Sequence, residues 1–158
     1  MASKGTARPE RGIELRECTP ADLPGVLEIL KEAPEAAAWS AEALEGALRQ
    51  PETCFLVAVE GAVVVGFVTG RRIADEGEIL NLGVRRECRR RGVGAALVKS
   101  LGELLEGQGV RRVFGEVRES NVRAVHFYIG LGFQLTGKRA NYYRQPEEAA
   151  LVLEAKLG

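Results

Sequence analysis

The sequence predicts an α/β (α+β) fold built on a mixed, mostly antiparallel sheet of seven strands flanked by helices. Residues 55–59 and 62–70 are rich in valine and flank a Glu60-Gly61 turn, a pattern typical of an antiparallel hairpin. Residues 78–117 follow the pattern strand, loop, helix, strand, and such a crossover joins two parallel strands. The other predicted strands are residues 13–18, 133–139 and 149–156.

Four helices are predicted between these strands. Thr19 is a favourable N-cap and Pro20 suits a first helical position, so the first helix starts there. Gly132 closes the last helix. A turn is predicted at residues 75–77, before the fourth strand. The predicted helices cover residues 20 to about 32, from after 40 to before 51, from about 93 to 107–109, and 121–131.

Length and charge limit the classes of protein to which the chain can belong. At 158 residues and 17.1 kDa, it is long enough for one well-buried core and short for two ordinary domains. We expect a flexible N-terminal arm at residues 1–11 and a single domain at residues 12–158. A formal net charge of +0 gives no general attraction to nucleic acid or to a membrane surface, so neither is an expected partner. The polar start lacks the apolar core of a signal peptide, which predicts a cytoplasmic location.

The cysteines and the histidine argue against a disulfide framework and against a zinc site. Cys18, Cys54 and Cys88 are odd in number and widely spaced, and His126 is the only histidine. We therefore expect reduced cysteines and no bound metal. Spacing alone leaves a nucleophilic Cys–His pair open, although no known signature surrounds any of the three cysteines.

The sequence Arg89-Arg90-Arg91-Gly92-Val93-Gly94 lies between a predicted strand and a predicted helix, and it is the best functional clue in the chain. Glycines let the backbone approach a ligand closely, and the free N–H groups and dipole of a helix start favour an anion such as pyrophosphate. A nucleoside triphosphatase loop would need Gly-Lys-Ser/Thr, whereas Ala95 and Ala96 follow Gly94. A dinucleotide fingerprint would need a third small residue where Leu97 stands. A basic turn before an ordinary helix is the remaining alternative.

Four short segments follow one another in an order that is more specific than any one of them. They are EILNLGV at 78–84, RRRGVG at 89–94, EVRESN at 116–121 and YIGLGF at 128–133. With Trp39-Ser40 before the second helix and Asn141-Tyr142-Tyr143 between the last two predicted strands, they resemble the GNAT superfamily of acetyl-CoA-dependent N-acetyltransferases. The resemblance is closest to the bacterial ribosomal-protein-alanine N-acetyltransferases. It implies a GNAT-like sheet in which the two parallel strands splay apart.

The resemblance implies acetyl-CoA as the cosubstrate, bound mainly by the backbone. Its pyrophosphate would lie on the amides of residues 90–95, and its pantetheine arm would pair with residues 82–84 like an extra strand. Gly83 fits a bulge or a close backbone approach there, and a small residue beside a bulky neighbour is the alternative. The implied cosubstrate-binding residues are Leu82, Gly83, Val84, Arg89, Arg90, Arg91, Gly92, Val93, Gly94, Ala95 and Asn121.

Glu116 and Tyr128 are the candidate catalytic residues. Acetyl transfer to an amine needs a base, a stabilised oxyanion and a proton for the departing thiolate. The resemblance assigns the base to Glu116, directly or through water, with Glu78 as the reserve and a solvated glutamate as the alternative. It assigns Tyr128 to the sulfur as proton donor and Asn121 to the coenzyme A arm. The two are seven residues apart, so on one helix they would share a face, and the alternative is a capping asparagine with a core tyrosine.

Trp39, Tyr142 and Tyr143 are the candidate acceptor-binding residues. They are large and amphipathic, and the resemblance places them beside the acceptor groove, although they can equally pack loops. The implied acceptor is the α-amine of a protein N-terminus, with a small-subunit ribosomal protein that begins with alanine as the partner. The alternatives are a lysine side chain or a small-molecule amine as acceptor, and a non-catalytic acyl-CoA-binding module.

Overall fold

The computed structural model describes residues 12–33, 38–144 and 146–158, and the predicted N-terminal arm at 1–11 lies outside them. The described part contains seven strands and four α-helices, all of which the sequence predicts. The strands are β1 Ile13–Glu17, β2 Thr53–Glu60, β3 Val63–Ile73, β4 Glu76–Val84, β5 Arg112–Arg118, β6 Gln134–Tyr143 and β7 Glu148–Lys156. The helices are α1 Leu23–Glu32, α2 Ala41–Arg49, α3 Val93–Gly107 and α4 Val122–Gly130.

The strands form one mixed sheet in the order β1-β2-β3-β4-β5-β7-β6. Every neighbouring pair is antiparallel except β4 and β5, which are parallel. The crossover predicted over residues 78–117 is therefore confirmed. The parallel ladder is short: only Glu76, Gly77 and Glu78 pair with β5, opposite Arg112, Val113 and Phe114. Beyond these pairs β4 and β5 separate, which confirms the predicted splay.

Apolar side chains cover both faces of the sheet. On one face, Phe55 and Phe67 pack in a cluster with Val26 and Ile29 of α1 and Leu44 of α2. On the other face, Leu97 and Leu101 of α3 share a second cluster with Leu56, Val68 and Tyr128 of α4. Alternating residues of β2 thus belong to opposite clusters, as the period of a strand requires. Among the described residues, no helix combines the length and apolarity that crossing a membrane needs.

Glycines of β3 bring α3 close to the sheet. A methyl group on Gly66 would lie 2.9 Å from Val93 Cγ1, and one on Gly70 would lie 2.8 Å from Leu101 Cδ2. Neither distance is tolerated between carbon atoms, so α3 can sit this low only over glycine. The start of α3 is thereby held beside the end of β4.

Three local predictions need correction. The turn between β3 and β4 falls at Ala74 and Asp75 instead of 75–77, because Glu76 already pairs with Ile73. Ala74 adopts a left-handed φ of 56°, which a two-residue hairpin turn demands and which alanine does not signal in a sequence. The segment 141–143 belongs to the end of β6 rather than to the connection before β7.

The predicted bulge at Gly83 is the third correction. Gly83 pairs in register with Phe67, and the irregularity lies at Leu80, because Thr69 pairs with Asn81 while Gly70 pairs with Ile79. A methyl group on Gly83 would lie 2.9 Å from both Ile29 Cγ2 and Phe67 Cε1. The glycine therefore makes room for bulky side chains, the alternative that the sequence had left open.

The entry into α1 contains a partly buried ion pair between the buried Asp22 and the more exposed Arg16. Residues Pro20–Asp22 form a 3-10 turn, and the Thr19 backbone N–H and hydroxyl both donate to Asp22, at 2.8 and 3.0 Å. Arg16 of β1 donates two hydrogen bonds to the two oxygens of the same carboxylate, at 2.7 and 3.0 Å. The hydrogen bond from Arg16 lowers the pKa of Asp22 to about 2. The pair fastens β1 to the helix on one face of the sheet.

Candidate active site

The loop of residues 89–94, called the glycine loop below, changes backbone handedness twice. Arg90 has φ 65° and Gly92 has φ 80°, both in the left-handed region. Gly92 adopts this conformation without cost, whereas Arg90 stores strain of the kind found at ligand sites. α3 begins at Val93, so the N–H groups of Val93, Gly94 and Ala95 have no carbonyl in a preceding turn and point out of the helix start. A loop of this geometry can accommodate an anion.

The three arginines of the glycine loop lie in different surroundings. Arg89 donates to the carbonyl oxygen of Val84 at 3.2 Å and to that of Glu32 at 3.5 Å, so it ties the loop to β4 and α1. Arg91 donates to Glu60 at 2.8 Å and thereby lowers the pKa of that carboxyl. Arg90 is exposed. Two of the three arginines thus make contacts within the protein.

The splayed part of β4 lies next to the glycine loop. Leu82 and Val84 are half-buried, and Gly83 is buried between them. Because the ladder to β5 ends at Glu78, the backbone groups of β4 that face β5 beyond that point have no strand opposite them. An extended ligand could therefore pair with peptide groups of this slot, where the Leu82 N–H at present donates to Asn81 Oδ1 at 3.0 Å.

Glu116 stands on β5 two residues beyond the end of this ladder, and its side chain is only 10% exposed. Arg139 forms an ion pair with Glu116, with Nε 2.5 Å from Oε2, and the Tyr142 hydroxyl donates to Oε1 at 2.7 Å. The hydrogen bond to Glu116 raises the pKa of Tyr142. Both oxygens of the carboxylate are thus held by β6, in what we call the Glu116 cluster: Glu116, Arg139 and Tyr142.

The Glu116 cluster reaches across an intervening strand. β7 lies between β5 and β6, and its small, fully buried Ala150 pairs with Arg118 on one side and Arg139 on the other. A small side chain there leaves room above β7. Residues 140–142 lie opposite a single residue of β7, and Asn141 in this bulge has φ 55°. The bulge turns Tyr142 toward Glu116.

Tyr143 is fixed beside this cluster by a second arginine. The Arg118 guanidinium lies 4.4 Å from the centre of the Tyr143 ring and donates to Glu148 at 3.2 Å. It also donates to the carbonyl oxygens of Arg144 and Pro146, which pins the β6–β7 connection. Burial, followed by the charge of Glu116, raises the pKa of Tyr143 to about 12. The predicted residues Glu116, Tyr142 and Tyr143 therefore come together.

Tyr128 lies on α4, and Asn121 directly precedes this helix. Tyr128 is 6% exposed and packs edge-on against Phe127 and Phe133, with ring centres 5.1 Å apart in each case. Burial raises the pKa of Tyr128, so its hydroxyl stays protonated. Asn121 accepts from the Ala124 N–H at 3.2 Å and precedes the helix as its N-cap. The prediction that it shares a helix face with Tyr128 is wrong because its backbone is not helical.

Trp39 has a different setting from the two tyrosines. It packs against the apolar cluster of α1 and α2, whereas Tyr142 and Tyr143 lie at the end of β6.

Glu78, the reserve base, is held by Arg71 at 3.1 Å. Cys18 is buried, and burial raises the pKa of its thiol to about 12, which argues against a thiolate nucleophile. A nucleophilic Cys–His pair at this cysteine is therefore disfavoured.

Sequence reasoning missed Arg139 and Arg118. Arg118 lies within the segment 116–121, but the resemblance gives it no role, and Arg139 lies outside the four segments. The signal that was available is the small residue at position 150, since alanine between two strands lets long side chains meet above it. Using that signal requires the register of β5, β6 and β7, which sequence alone does not supply.

Comparison with known proteins places this site in a family. Residues 15–133 match the model of the acetyltransferase (GNAT) family. The chain belongs to the GNAT family of acetyltransferases. An uncharacterized N-acetyltransferase of Methanocaldococcus jannaschii is 32% identical over 143 residues, which are 90% of this chain and 91% of that protein. The predicted family resemblance is confirmed.

Three further matches carry more specific names. A ribosomal protein bS18-alanine N-acetyltransferase of Escherichia coli is 32% identical over 122 residues, 77% of this chain and 81% of that protein. The crystal structure of the Escherichia coli ribosomal-protein-S18-alanine N-acetyltransferase matches with a TM-score of 0.81 and 26% identity. The match covers 92% of this chain and 94% of that protein. The crystal structure of Ard1 from Thermoplasma volcanium matches with a TM-score of 0.85, 28% identity, and coverage of 93% of this chain and 99% of Ard1. These matches confirm the predicted GNAT-like sheet.

Proposed function

We propose that this GNAT acetyltransferase transfers acetyl from acetyl-CoA to the α-amine of a protein N-terminus. The observation that carries the proposal is the Glu116 carboxylate, held at the splay of β4 and β5 by a tyrosine from the acceptor side. The identity of 32% to the Escherichia coli alanine N-acetyltransferase supports an N-terminal alanine as the acceptor. The proposed partner is a small-subunit ribosomal protein that begins with alanine after removal of methionine.

The residues of the slot fit acetyl-CoA, which supplies the activated acetyl thioester when bound. The amides of residues 90–95 would hold its pyrophosphate, since the backbone there turns with Arg90 and Gly92 in the left-handed region. The edge of Leu82 to Val84, which β5 does not cover, would pair with the amides of the pantetheine arm. The Leu82 N–H donates to Asn81 Oδ1 at 3.0 Å and would exchange that contact for the arm. Asn121 uses its carboxamide oxygen as a helix cap, so only its amino group is proposed to reach the arm.

Two side chains would move the protons. Glu116 would accept one proton from the α-ammonium, directly or through water, which leaves a nitrogen lone pair free to attack the thioester carbon. Tyr128 would pass its hydroxyl proton to the sulfur as the carbon–sulfur bond breaks, and it would be reprotonated by the second proton, which the nitrogen loses on forming the amide. The α-ammonium group has an ordinary pKa near 7.7–8.0, so removing this proton near neutral pH is a small task.

Three aromatic side chains would bind the acceptor. Tyr142 and Tyr143 present hydroxyls and ring faces beside Glu116, and their rings meet edge-on with centres 5.0 Å apart. Their position at the base favours contact with the first residues of a peptide. Trp39 would border the same groove from the segment before α2.

Peptide acetylation tests this proposal. The protein is incubated with acetyl-CoA and synthetic peptides that begin with alanine, serine, glycine or methionine, and mass spectrometry locates the acetyl group. We expect acetyl on the α-amine of the alanine peptide first. Blocking that amine while leaving an internal lysine free should abolish turnover. Acetylation of the lysine instead, or of small amines alone, would replace the N-terminal acceptor by the alternative one, and coenzyme A binding without any turnover would indicate a non-catalytic module.

A further inference from the structure

The two partners of Glu116 differ in charge, and this difference decides what an acceptor must displace. Tyr142 is neutral, whereas Arg139 is a cation paired with the carboxylate at 2.5 Å. An arriving α-ammonium is also a cation. It can take the place of the guanidinium on Oε2 with no change in the net charge around Glu116.

Arg139 can move outward if it leaves Glu116 and the Tyr142 ring, whose centre lies 5.9 Å from the guanidinium carbon. Its side chain is 57% exposed, while that of Glu116 is 10% exposed. The guanidinium can therefore leave Glu116 and enter solvent at little desolvation cost. The exchange exposes one positive charge on the acceptor side of the sheet.

The neighbouring carboxylates that the structure describes on this face are already paired with other arginines. Glu78 pairs with Arg71 at 3.1 Å and Glu148 with Arg118 at 3.2 Å. Further along, Glu154 pairs with Arg112 at 3.3 Å. A released Arg139 would thus have to break an existing ion pair to reach any of these three carboxylates.

We propose that Arg139 is a specificity-determining residue that moves from Glu116 to an acidic side chain near the N-terminus of the acceptor. The inference rests on the proposed function and adds a substrate class to it: protein N-termini with Asp or Glu shortly after the acetylated residue. A guanidinium pairs with a carboxylate through two parallel hydrogen bonds, so the contact recognises shape as well as charge.

Strand spacing fixes where the acidic residue lies. β6 is two strands away from β5, which corresponds to ~10 Å at ~4.8 Å per strand. An extended acceptor that runs from Glu116 toward β6 advances ~3.3 Å per residue. Because the Arg139 side chain reaches back from β6, the acceptor has to span only part of the ~10 Å between the strands. The preferred acidic positions are therefore the second and third residues.

Matched peptides and charge variants test the inference. Peptides beginning Ala-Glu, Ala-Gln and Ala-Lys are otherwise identical, and a fourth carries its only glutamate at position six. Each is assayed for kcat/KM with the wild-type protein, Arg139→Gln and Arg139→Glu. Lys138→Gln is the matched control, because Lys138 is adjacent on β6 but pairs with Glu119 at 2.9 Å instead.

We expect the wild-type protein to prefer Ala-Glu over Ala-Lys by ~10-fold. An exposed attraction between Arg139 and the glutamate, together with an exposed repulsion between Arg139 and the lysine, allows an effect of this size. The preference should fall to about one in Arg139→Gln, invert in Arg139→Glu, and persist in Lys138→Gln. The position-six peptide should behave like Ala-Gln. The inverted preference is a gain of activity on Ala-Lys, which a misfolded variant cannot produce.

Two results would overturn the inference. One is a wild-type ratio of Ala-Glu to Ala-Lys near or below one, which needs no variant to observe. The other is an equal change of ratio in Arg139→Gln and Lys138→Gln. If no peptide of any sequence is acetylated on its α-amine, the proposed function itself fails and the specificity inference fails with it.

Discussion

The glycine loop and the Glu116 cluster place ligand-binding groups in opposite ways. The loop uses the backbone of six consecutive residues, with Gly92 in a left-handed conformation and the helix amides directly after it. The Glu116 cluster uses side chains from β5 and β6, which meet above Ala150 of β7. The first arrangement is local in sequence and tolerant of side-chain change. The second depends on strand register, so it can vary between relatives without any change of fold.

Removal of the carboxylate should give the largest effect. Glu116→Gln keeps the shape of the side chain and abolishes its basicity, so we expect kcat to fall by about 100-fold or more. Binding of coenzyme A, measured by calorimetry, should stay unchanged because the slot is formed by backbone. Glu119→Gln, at a glutamate that pairs with Lys138, is the control and should retain full activity. Equal activity of the two variants would show that Glu116 is not the base.

A methyl group in the glycine loop should affect the cosubstrate end alone. Gly92→Ala forces a side chain into φ 80°, which costs roughly 1–2 kcal/mol, and we expect coenzyme A affinity to fall by about tenfold. The acceptor preference should not change. Gly46→Ala is the matched control, because nothing lies within 4 Å of a methyl group there and the residue is in the middle of α2. Unchanged coenzyme A affinity in Gly92→Ala would contradict a role for the loop conformation.

The β6 bulge should affect the acceptor end alone. Asn141→Val places a β-branched residue at φ 55°, which is strongly disfavoured, and should withdraw Tyr142 from Glu116. We expect kcat/KM for peptides to fall by roughly tenfold, with coenzyme A affinity unchanged. Asn141→Gly accepts the same backbone conformation and should restore most of the activity. A glycine variant as impaired as the valine variant would mean that the asparagine side chain itself is required.

The ion pair at the entry into α1 should influence stability and leave the chemistry untouched. Folding lowers the pKa of Asp22 from 3.8 to about 2, so its stabilisation is complete above pH ~5 and disappears as the pH falls toward 2. We expect Asp22→Asn to lower the free energy of unfolding by about 2 kcal/mol at pH 7. The difference from the wild-type protein should vanish near pH 2 in urea titrations. A difference that is independent of pH would assign the effect to packing instead of charge.

Local signals explain what the sequence predicted correctly. The valine-rich hairpin, the crossover and the glycine loop each depend on a few consecutive residues, so their patterns indicate structure directly. The predicted bulge position was wrong because the sequence around Gly83 does not show that the distant Ile29 side chain packs against this glycine. The left-handed conformation of Ala74 was missed because alanine gives no sequence signal for a positive φ.

The candidate site divides along the same line. Glu116, Tyr142 and Tyr143 were found through motif resemblance, and the structure brings them together. Arg139 was missed because its contact depends on three strands in register and on a bulge of β6. A side-chain pair formed across an intervening strand has no fixed spacing along the chain, and periodicity cannot reveal it.

The short ladder between β4 and β5 has a consequence for the lifetime of the protein. Only three residue pairs join β4 to β5, and these pairs connect strands β1 to β4 with strands β5 to β7. The stability of this junction therefore depends on the helices that pack against it. Under the proposed function, a bound pantetheine arm would occupy the gap between β4 and β5 like an additional strand and would stabilise the folded protein. Resistance to proteolysis should then rise with the supply of acetyl-CoA, which makes the abundance of this enzyme sensitive to the metabolite that it consumes.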